Sequence, residues 1–108
     1  MKWIGLDNIA QLEEINAASF QNKVVIFKHS TRCGISRMVL KNFENEVQDK
    51  AEFKNISFYY LDLIQYRKIS NAIADKWQIE HQSPQIIVIS NGMAIHDASH
   101  YSIKTANI

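Results

Sequence analysis

The sequence predicts an α/β fold in which a central mixed sheet is flanked by helices, and three observations support this. Apolar runs of strand length alternate with segments whose apolar residues recur every three or four positions. Helical connections between strands favour parallel pairing. The dipeptide Asn91-Gly92 tolerates the positive φ of a tight hairpin turn, which would add an antiparallel edge. A chain of 108 residues, 46% of them hydrophobic, can bury one core, so we expect one domain over residues 1–108.

The first half of the chain is predicted to alternate strand and helix twice. Trp3-Ile4 is expected to form a short strand, and Asp7 or Asn8 to cap the helix that follows it. The run KVVIFKH is β-branched and aromatic, which is typical of a central strand buried on both faces. A long amphipathic helix should follow the turn HSTRCG. The apolar residues expected to face the core are Ile9, Leu12, Ile15 and Phe20 in the first helix and Ile35, Met38, Val39, Phe43 and Val47 in the second.

The second half predicts two further strands around a third helix, then a hairpin. The strands are ISFYYLDL and QIIVIS, and helical spacing from Leu63 to Trp77 separates them. Pro84, the only proline, lies in the loop Gln78 to Gln85. MAIHDA should return antiparallel after the hairpin turn, and a short helix is expected from Ser99 or His100 through Ile103. This order of elements is that of the thioredoxin fold.

Cys33, the only cysteine, lies where a central strand passes into a helix. The unpaired amides of a first helical turn favour an anion, so we expect them to lower the thiol pKa and to raise the reactive fraction. Arg32 and Arg37, and also His29, would add positive potential. A lone cysteine is often an inert apolar residue, but polar and charged neighbours favour a reactive, partly exposed thiol here.

Ser36 occupies the position at which a dithiol redox motif Cys-x-x-Cys would have its second cysteine. The site therefore cannot form an internal disulfide, although Ser36 could equally be an ordinary hydroxyl of the first helical turn. A phosphatase loop would need an arginine six positions after the nucleophile, and Val39 stands there. These residues favour thiol-disulfide chemistry with an external partner.

Pro84 directly precedes a predicted core strand, and in thioredoxin-like folds the bond at this place is cis. We therefore predict a cis Ser83-Pro84 bond, which only about 5–6% of X-Pro bonds adopt in folded proteins. A cis bond would turn the Ser83 main chain toward Cys33 and offer an edge for an extended substrate peptide. His81, in the same loop, could bring an imidazole near the sulfur, although a surface histidine is the simpler interpretation.

Composition excludes several classes of function. The chain has twelve basic and eleven acidic residues, scattered along its length. This distribution produces no strong positive potential that would attract nucleic acid or an anionic membrane. Acidic residues near the N-terminus argue against an export signal, so a cytoplasmic protein is expected. His96, Asp97 and His100 are weak evidence for a metal site, because such side chains at an edge strand usually face solvent. We expect no bound cofactor.

Four segments together resemble the YtxJ-type monothiol bacilliredoxins, thioredoxin-fold proteins of bacteria that use bacillithiol: FKHSTRCGISRM, YYLDLIQYRKISNAIADKW, HQSPQIIVISNG and SHYSI. The resemblance covers nearly the whole chain. It implies Cys33 as the nucleophile, Ser83-Pro84 as the facing loop and S-bacillithiolated proteins as substrates. Gly34, where proline is frequent, and Gln82, where an acidic residue is expected, depart from that pattern. The residues expected to contact substrate are Ser83, Pro84, Arg32, Gly34, Ser36 and Arg37.

The mechanism implied is thiol-disulfide exchange, in which Cys33 takes the small thiol from a protein mixed disulfide. Because the chain has no second cysteine, a small thiol or another redoxin must then reduce the adduct. Two alternatives remain open. The run CGIS also resembles the Cys-Gly-Phe-Ser motif of glutaredoxins that carry an iron-sulfur cluster with a thiol co-ligand. The fold could also serve as a catalytically silent adaptor.

Overall fold

The computed structural model describes residues 1–48 and 50–108 and contains a five-stranded sheet with helices on both faces. The strands are β1 Trp3–Gly5, β2 Val24–His29, β3 Ser57–Asp62, β4 Gln85–Ser90 and β5 Met93–Ser99. The helices are α1 Gln11–Ala18, α2 Gly34–Val47 and α3 Arg67–Trp77. Short 3₁₀ turns span Ala51–Phe53, His100–Ser102 and Thr105–Asn107. The predicted α/β class and order of strands and helices are confirmed, except that the last helix is reduced to 3₁₀ turns.

The sheet is mixed, with the strand order β1-β3-β2-β4-β5. β1, β3 and β2 are parallel, whereas β4 pairs antiparallel with β2 and β5 antiparallel with β4. The parallel pairing expected for every helical connection is therefore wrong for α3. The segment 78–84 returns the chain to the edge at which β2 ends, so β4 enters the sheet in the opposite direction.

Two apolar clusters lie on the two faces of the sheet. α1 and α3 cover one face through Leu12, Ile15 and Ile73, while α2 covers the other through Phe43 and its neighbours. β2 is buried along its whole length because it is central in the sheet and covered on both faces. This arrangement confirms the prediction made from its unbroken apolar run.

Four of the apolar residues expected in the core are instead exposed. Ile9 and Phe20 lie outside the bounds of α1, so helical spacing does not apply to them. In α2 the buried positions are Ser36, Val39, Phe43 and Val47, at intervals of three and four. Ser36 thus takes the inward position of the first turn, and Ile35 and Met38 are left 44% and 46% exposed beside Cys33.

The hairpin turn between β4 and β5 confirms the interpretation of Asn91-Gly92, since both residues have positive φ, 52° and 76°. A Cβ atom at Gly92 would also come within 2.9 Å of the Phe20 ring. Glycine is therefore required at this position for both conformation and space.

Candidate active site

Cys33 is the N-cap residue of α2 and is half-buried, at the junction that the sequence predicts. Its amide donates to the Ser30 carbonyl at 3.1 Å and its carbonyl accepts from the Arg37 amide at 3.1 Å, so both main-chain groups fix the turn. Among the described residues, no amide of the first turn donates a capping hydrogen bond to the sulfur. Cys33 is therefore a partly exposed residue at the start of α2, and the reactivity predicted for its thiol stays a prediction.

Ser36 lies in the first turn of α2, as predicted, and is fully buried there, while the substrate contact expected for it stays a prediction. Its Oγ accepts the Ser30 amide at 3.1 Å and lies 2.6 Å from Nδ1 of His29, which is also buried. Burial is the main cause that lowers the pKa of His29, so the neutral ring is favoured and Nδ1 can accept the Ser36 proton. Through these two contacts, Ser36 links the turn that contains Cys33 with His29, the last residue of β2.

Replacing Ser36 with alanine should destabilise the protein, because the Ser30 amide and the His29 ring nitrogen would lose a buried partner. Each such group costs about 1–3 kcal/mol. We expect a lower free energy of unfolding in urea, together with faster proteolysis of the turn around Cys33. The exposed Ser102→Ala change serves as the control and should alter stability by less than about 0.5 kcal/mol. An unfolding free energy equal to that of the wild type would contradict the anchoring role of Ser36.

The Ser83-Pro84 bond is cis, as predicted. Lys28 of β2 is opposite Gln85 of β4, so Pro84 lies at the edge where β2 ends and the turn to Cys33 begins. The Ser83 side-chain oxygen is buried, and neither it nor the Ser83 main chain has a hydrogen-bond partner among the described residues. The two halves of the predicted site are therefore at the same edge of the sheet.

The arginines near Cys33 differ in how they are held. Arg37 donates from Nη1 to the Thr31 carbonyl at 3.1 Å, which folds its side chain back over the turn. Arg32 and Gly34, which flank Cys33 in the chain, are exposed. The roles expected for Arg32, Gly34 and Arg37 in binding substrate stay predictions.

A buried lysine, which the sequence pattern did not predict, lies near the site. Lys28 is fully buried on the α3 side of β2, where its Nζ lies 3.3 Å from the Ser70 carbonyl and 3.4 Å from Nδ1 of His81. Burial, followed by the charge of Arg67, lowers the pKa of Lys28 to about 8. The sequence nevertheless contains a signal for this buried lysine, because Lys28 is a charged residue within the apolar run KVVIFKH.

His81 is partly buried rather than a free surface histidine. Its Nδ1 must be unprotonated to face the ammonium group of Lys28, which has only donors, and Ser70 Oγ lies 3.2 Å from the same nitrogen. Burial and then Lys28 lower the pKa of His81, which favours the neutral ring. His81 thus joins the loop that carries Pro84 to β2 and α3, and its hydrogen-bond partners among the described residues do not include Cys33.

Comparison with known proteins assigns the chain to a family. A family model described as "Monothiol bacilliredoxin BrxC" matches residues 4–108. The chain belongs to this monothiol bacilliredoxin family. A solved protein described as a proposed oxidoreductase with a thioredoxin fold is 30% identical, with a TM-score of 0.78 over 96% of this chain and 88% of that one.

Thioredoxins share the fold of this bacilliredoxin at lower identity. The thioredoxin of Malassezia sympodialis is 19% identical, with a TM-score of 0.73 over 93% of this chain and 79% of that one. Thioredoxin f from spinach chloroplasts is 13% identical, with a TM-score of 0.70 over 92% and 75%. These two likenesses concern the fold alone. The family and the relative at 30% identity make this bacilliredoxin a thiol-disulfide oxidoreductase that acts with thiol-containing proteins.

The described residues of this bacilliredoxin contain neither a group of side chains arranged to hold a metal ion nor a helix that could span a membrane. Among residues 1–48 and 50–108, no group of three or more His, Cys, Asp or Glu side chains is arranged to hold a metal ion. His96 is half-buried with an unpartnered Nε2, unlike the solvent-facing side chain that was expected, while Asp97 and His100 are exposed. None of the described helices is long and apolar enough to cross a membrane.

Proposed function

We propose that this protein removes bacillithiol, or a similar small thiol, from S-thiolated cytoplasmic proteins by transfer of the small thiol to Cys33. The observation that carries the proposal is the one half-buried thiol of the chain at the N-terminus of α2, at the edge where the cis Ser83-Pro84 bond lies. The serine at position 36 supports a site that holds one sulfur and needs an external reductant.

The reaction begins when the Cys33 thiolate attacks the sulfur of the small thiol in the protein mixed disulfide. A disulfide forms between Cys33 and the small thiol, the original disulfide breaks, and the client leaves as a thiolate that takes a proton from solvent. Ser36 cannot attack the adduct, because a hydroxyl does not exchange with disulfides. A second small thiol or another redoxin then attacks the adduct and regenerates Cys33.

A client peptide would bind beside the sulfur in an extended conformation. The Ser83 main chain has no hydrogen-bond partner among the described residues, so its amide and carbonyl are free to pair with a client strand. Ile35 and Met38 give an exposed apolar surface next to Cys33. Main-chain pairing with apolar contact suits a protein that acts on many different clients.

The proposal is tested by incubating the reduced protein with a client that carries one bacillithiol, or one glutathione, on a single cysteine. Intact mass should show the small thiol moving to the wild-type protein and the client returning to its free form. Cys33→Ala should take up no adduct, whereas the control Ser102→Ala should behave as the wild type. A client that keeps its adduct, or loses it equally with Cys33→Ala, would contradict the proposal and favour an adaptor.

A further inference from the structure

Lys28 places an ammonium group in the interior without a carboxylate partner among the described residues. Its side chain is fully buried and makes no ion pair with any of them. An unpaired ammonium group opposes folding when it is taken out of water. Residues that lower stability in this way are usually kept for function, so the contacts of Lys28 indicate its role.

The contacts of Lys28 lead to the loop that carries Pro84. Its Nζ lies 3.4 Å from Nδ1 of His81, in that loop, and 3.3 Å from the Ser70 carbonyl of α3. Ser70 Oγ lies 3.2 Å from the same ring nitrogen, so groups from β2 and α3 hold the imidazole. Lys28 thus fixes the position of His81, which precedes Ser83 by two residues.

Gln85 holds the main chain of the same loop. This first residue of β4 is paired with Lys28 in the sheet and is also fully buried. Its Nε2 donates to the Glu80 carbonyl at 2.9 Å, and its Oε1 accepts from the Gln82 amide at 3.3 Å. Ser83, by contrast, makes no main-chain hydrogen bond with the described residues. The loop is therefore held on its inner side and leaves one amide and one carbonyl for a client.

We propose that Lys28 is a positioning residue for client binding, which holds His81 and its loop so that the free main chain of Ser83 pairs with a client strand. This inference rests on the proposed function and adds a residue that makes the site selective for protein clients over small disulfides. A client strand needs the Ser83 amide and carbonyl at fixed places, because hydrogen bonds weaken steeply as their geometry departs from the optimum. A small disulfide has no main chain and needs only the sulfur of Cys33.

The turn that carries Cys33 is held by other groups. The Cys33 main chain is bonded to Ser30 and Arg37, and Ser36 accepts the Ser30 amide. The Lys28 side chain takes part in none of these contacts. Removing the ammonium group should therefore loosen the loop and leave the turn in place.

The test compares two substrates in the wild type, in Lys28→Met and in the control Lys68→Met, a change on the exposed surface of α3. One substrate is a protein client that carries a small thiol, and the other is dithiodipyridine, a small disulfide without a main chain. For Lys28→Met, kcat/KM with the client should fall about fivefold or more through a higher KM, which is the scale of one or two lost main-chain hydrogen bonds. The rate with dithiodipyridine should stay within about twofold of the wild-type rate, because it depends on the thiol alone. Lys68→Met should match the wild type with both substrates.

A second variant and a local measurement separate positioning from a general effect on the fold. His81→Phe keeps a ring, removes the nitrogen that faces Lys28 and should give the same split between the two substrates. Amide hydrogen exchange reports the loop itself. The Gln82 amide should exchange faster in Lys28→Met, although burial of one charge fewer favours the folded state of that variant.

The outcomes also separate this inference from the proposed function. Unchanged client kinetics in Lys28→Met, or equal losses with the two substrates, would overturn the positioning role. Equal losses would assign the effect of Lys28 to the ionisation of the Cys33 thiol. If the wild type reacts with dithiodipyridine but takes no small thiol from the client, the proposed function itself fails.

Discussion

The Ser36→Cys variant should release the small thiol that the wild-type protein retains. Wild-type protein without a reductant should stop after one equivalent, with the adduct on Cys33. In the variant a thiol would occupy the third position of the helix whose N-cap is Cys33. Residues separated by three in a helix have Cα atoms about 5 Å apart, which suits a disulfide. The new thiol should therefore attack the adduct and form a disulfide bond between Cys33 and position 36.

Intact mass measures this result directly, because the adduct should disappear from the variant as two hydrogens are lost from the protein. The freed small thiol is quantified in the same mixture. His29 faces position 36 and is favoured in its neutral form, so it can accept the proton of the introduced thiol. Ser36→Ala, which offers no nucleophile, is the matched control and should retain its adduct. An adduct that persists on Cys33 in Ser36→Cys would show that position 36 does not reach the sulfur.

The Lys28→Met variant should be more stable than the wild type at pH 7, by about 1–3 kcal/mol. Methionine has a similar shape and avoids burying an ammonium group, whose replacement by apolar residues is often stabilising. The gain is reduced by the loss of the contacts with the Ser70 carbonyl and His81, worth about 1 kcal/mol each. Lys68→Met, on the exposed surface of α3, is the control and should change little.

The same variant should also lose a pH dependence of stability. The pKa of Lys28 is about 8 in the folded protein and 10.5 in the absence of burial, so the unfolded chain binds more protons between these values. The wild type should therefore become more stable as pH rises from 8 toward 10.5, by at most on the order of 3 kcal/mol. Urea unfolding at a series of pH values from neutral to about one unit below the upper pKa checks this. A slope that is equal in both proteins would contradict the assignment to Lys28.

The fold class, the position of the thiol and the cis proline were all predictable before the structure was known. The spacing of apolar residues predicts the strands and helices, because a buried strand and an amphipathic helix need different apolar patterns to pack against the same core. The position of Cys33 follows from the order of those elements. The cis bond was predictable because Pro84 directly precedes a core strand, the place at which thioredoxin-like folds have a cis proline.

Tertiary packing alone decided which side chains serve the site. Ser36 turned out to be the inward residue of α2, displacing Ile35 and Met38 to the surface, because the angle at which the helix meets the sheet is not encoded in spacing. Likewise, the run KVVIFKH predicted burial for its whole strand, but only the loop that returns from α3 brings His81 to Lys28. The direction of β4 also depended on that loop. Contacts between residues far apart in the chain depend on how the elements pack together, and local pattern does not specify this.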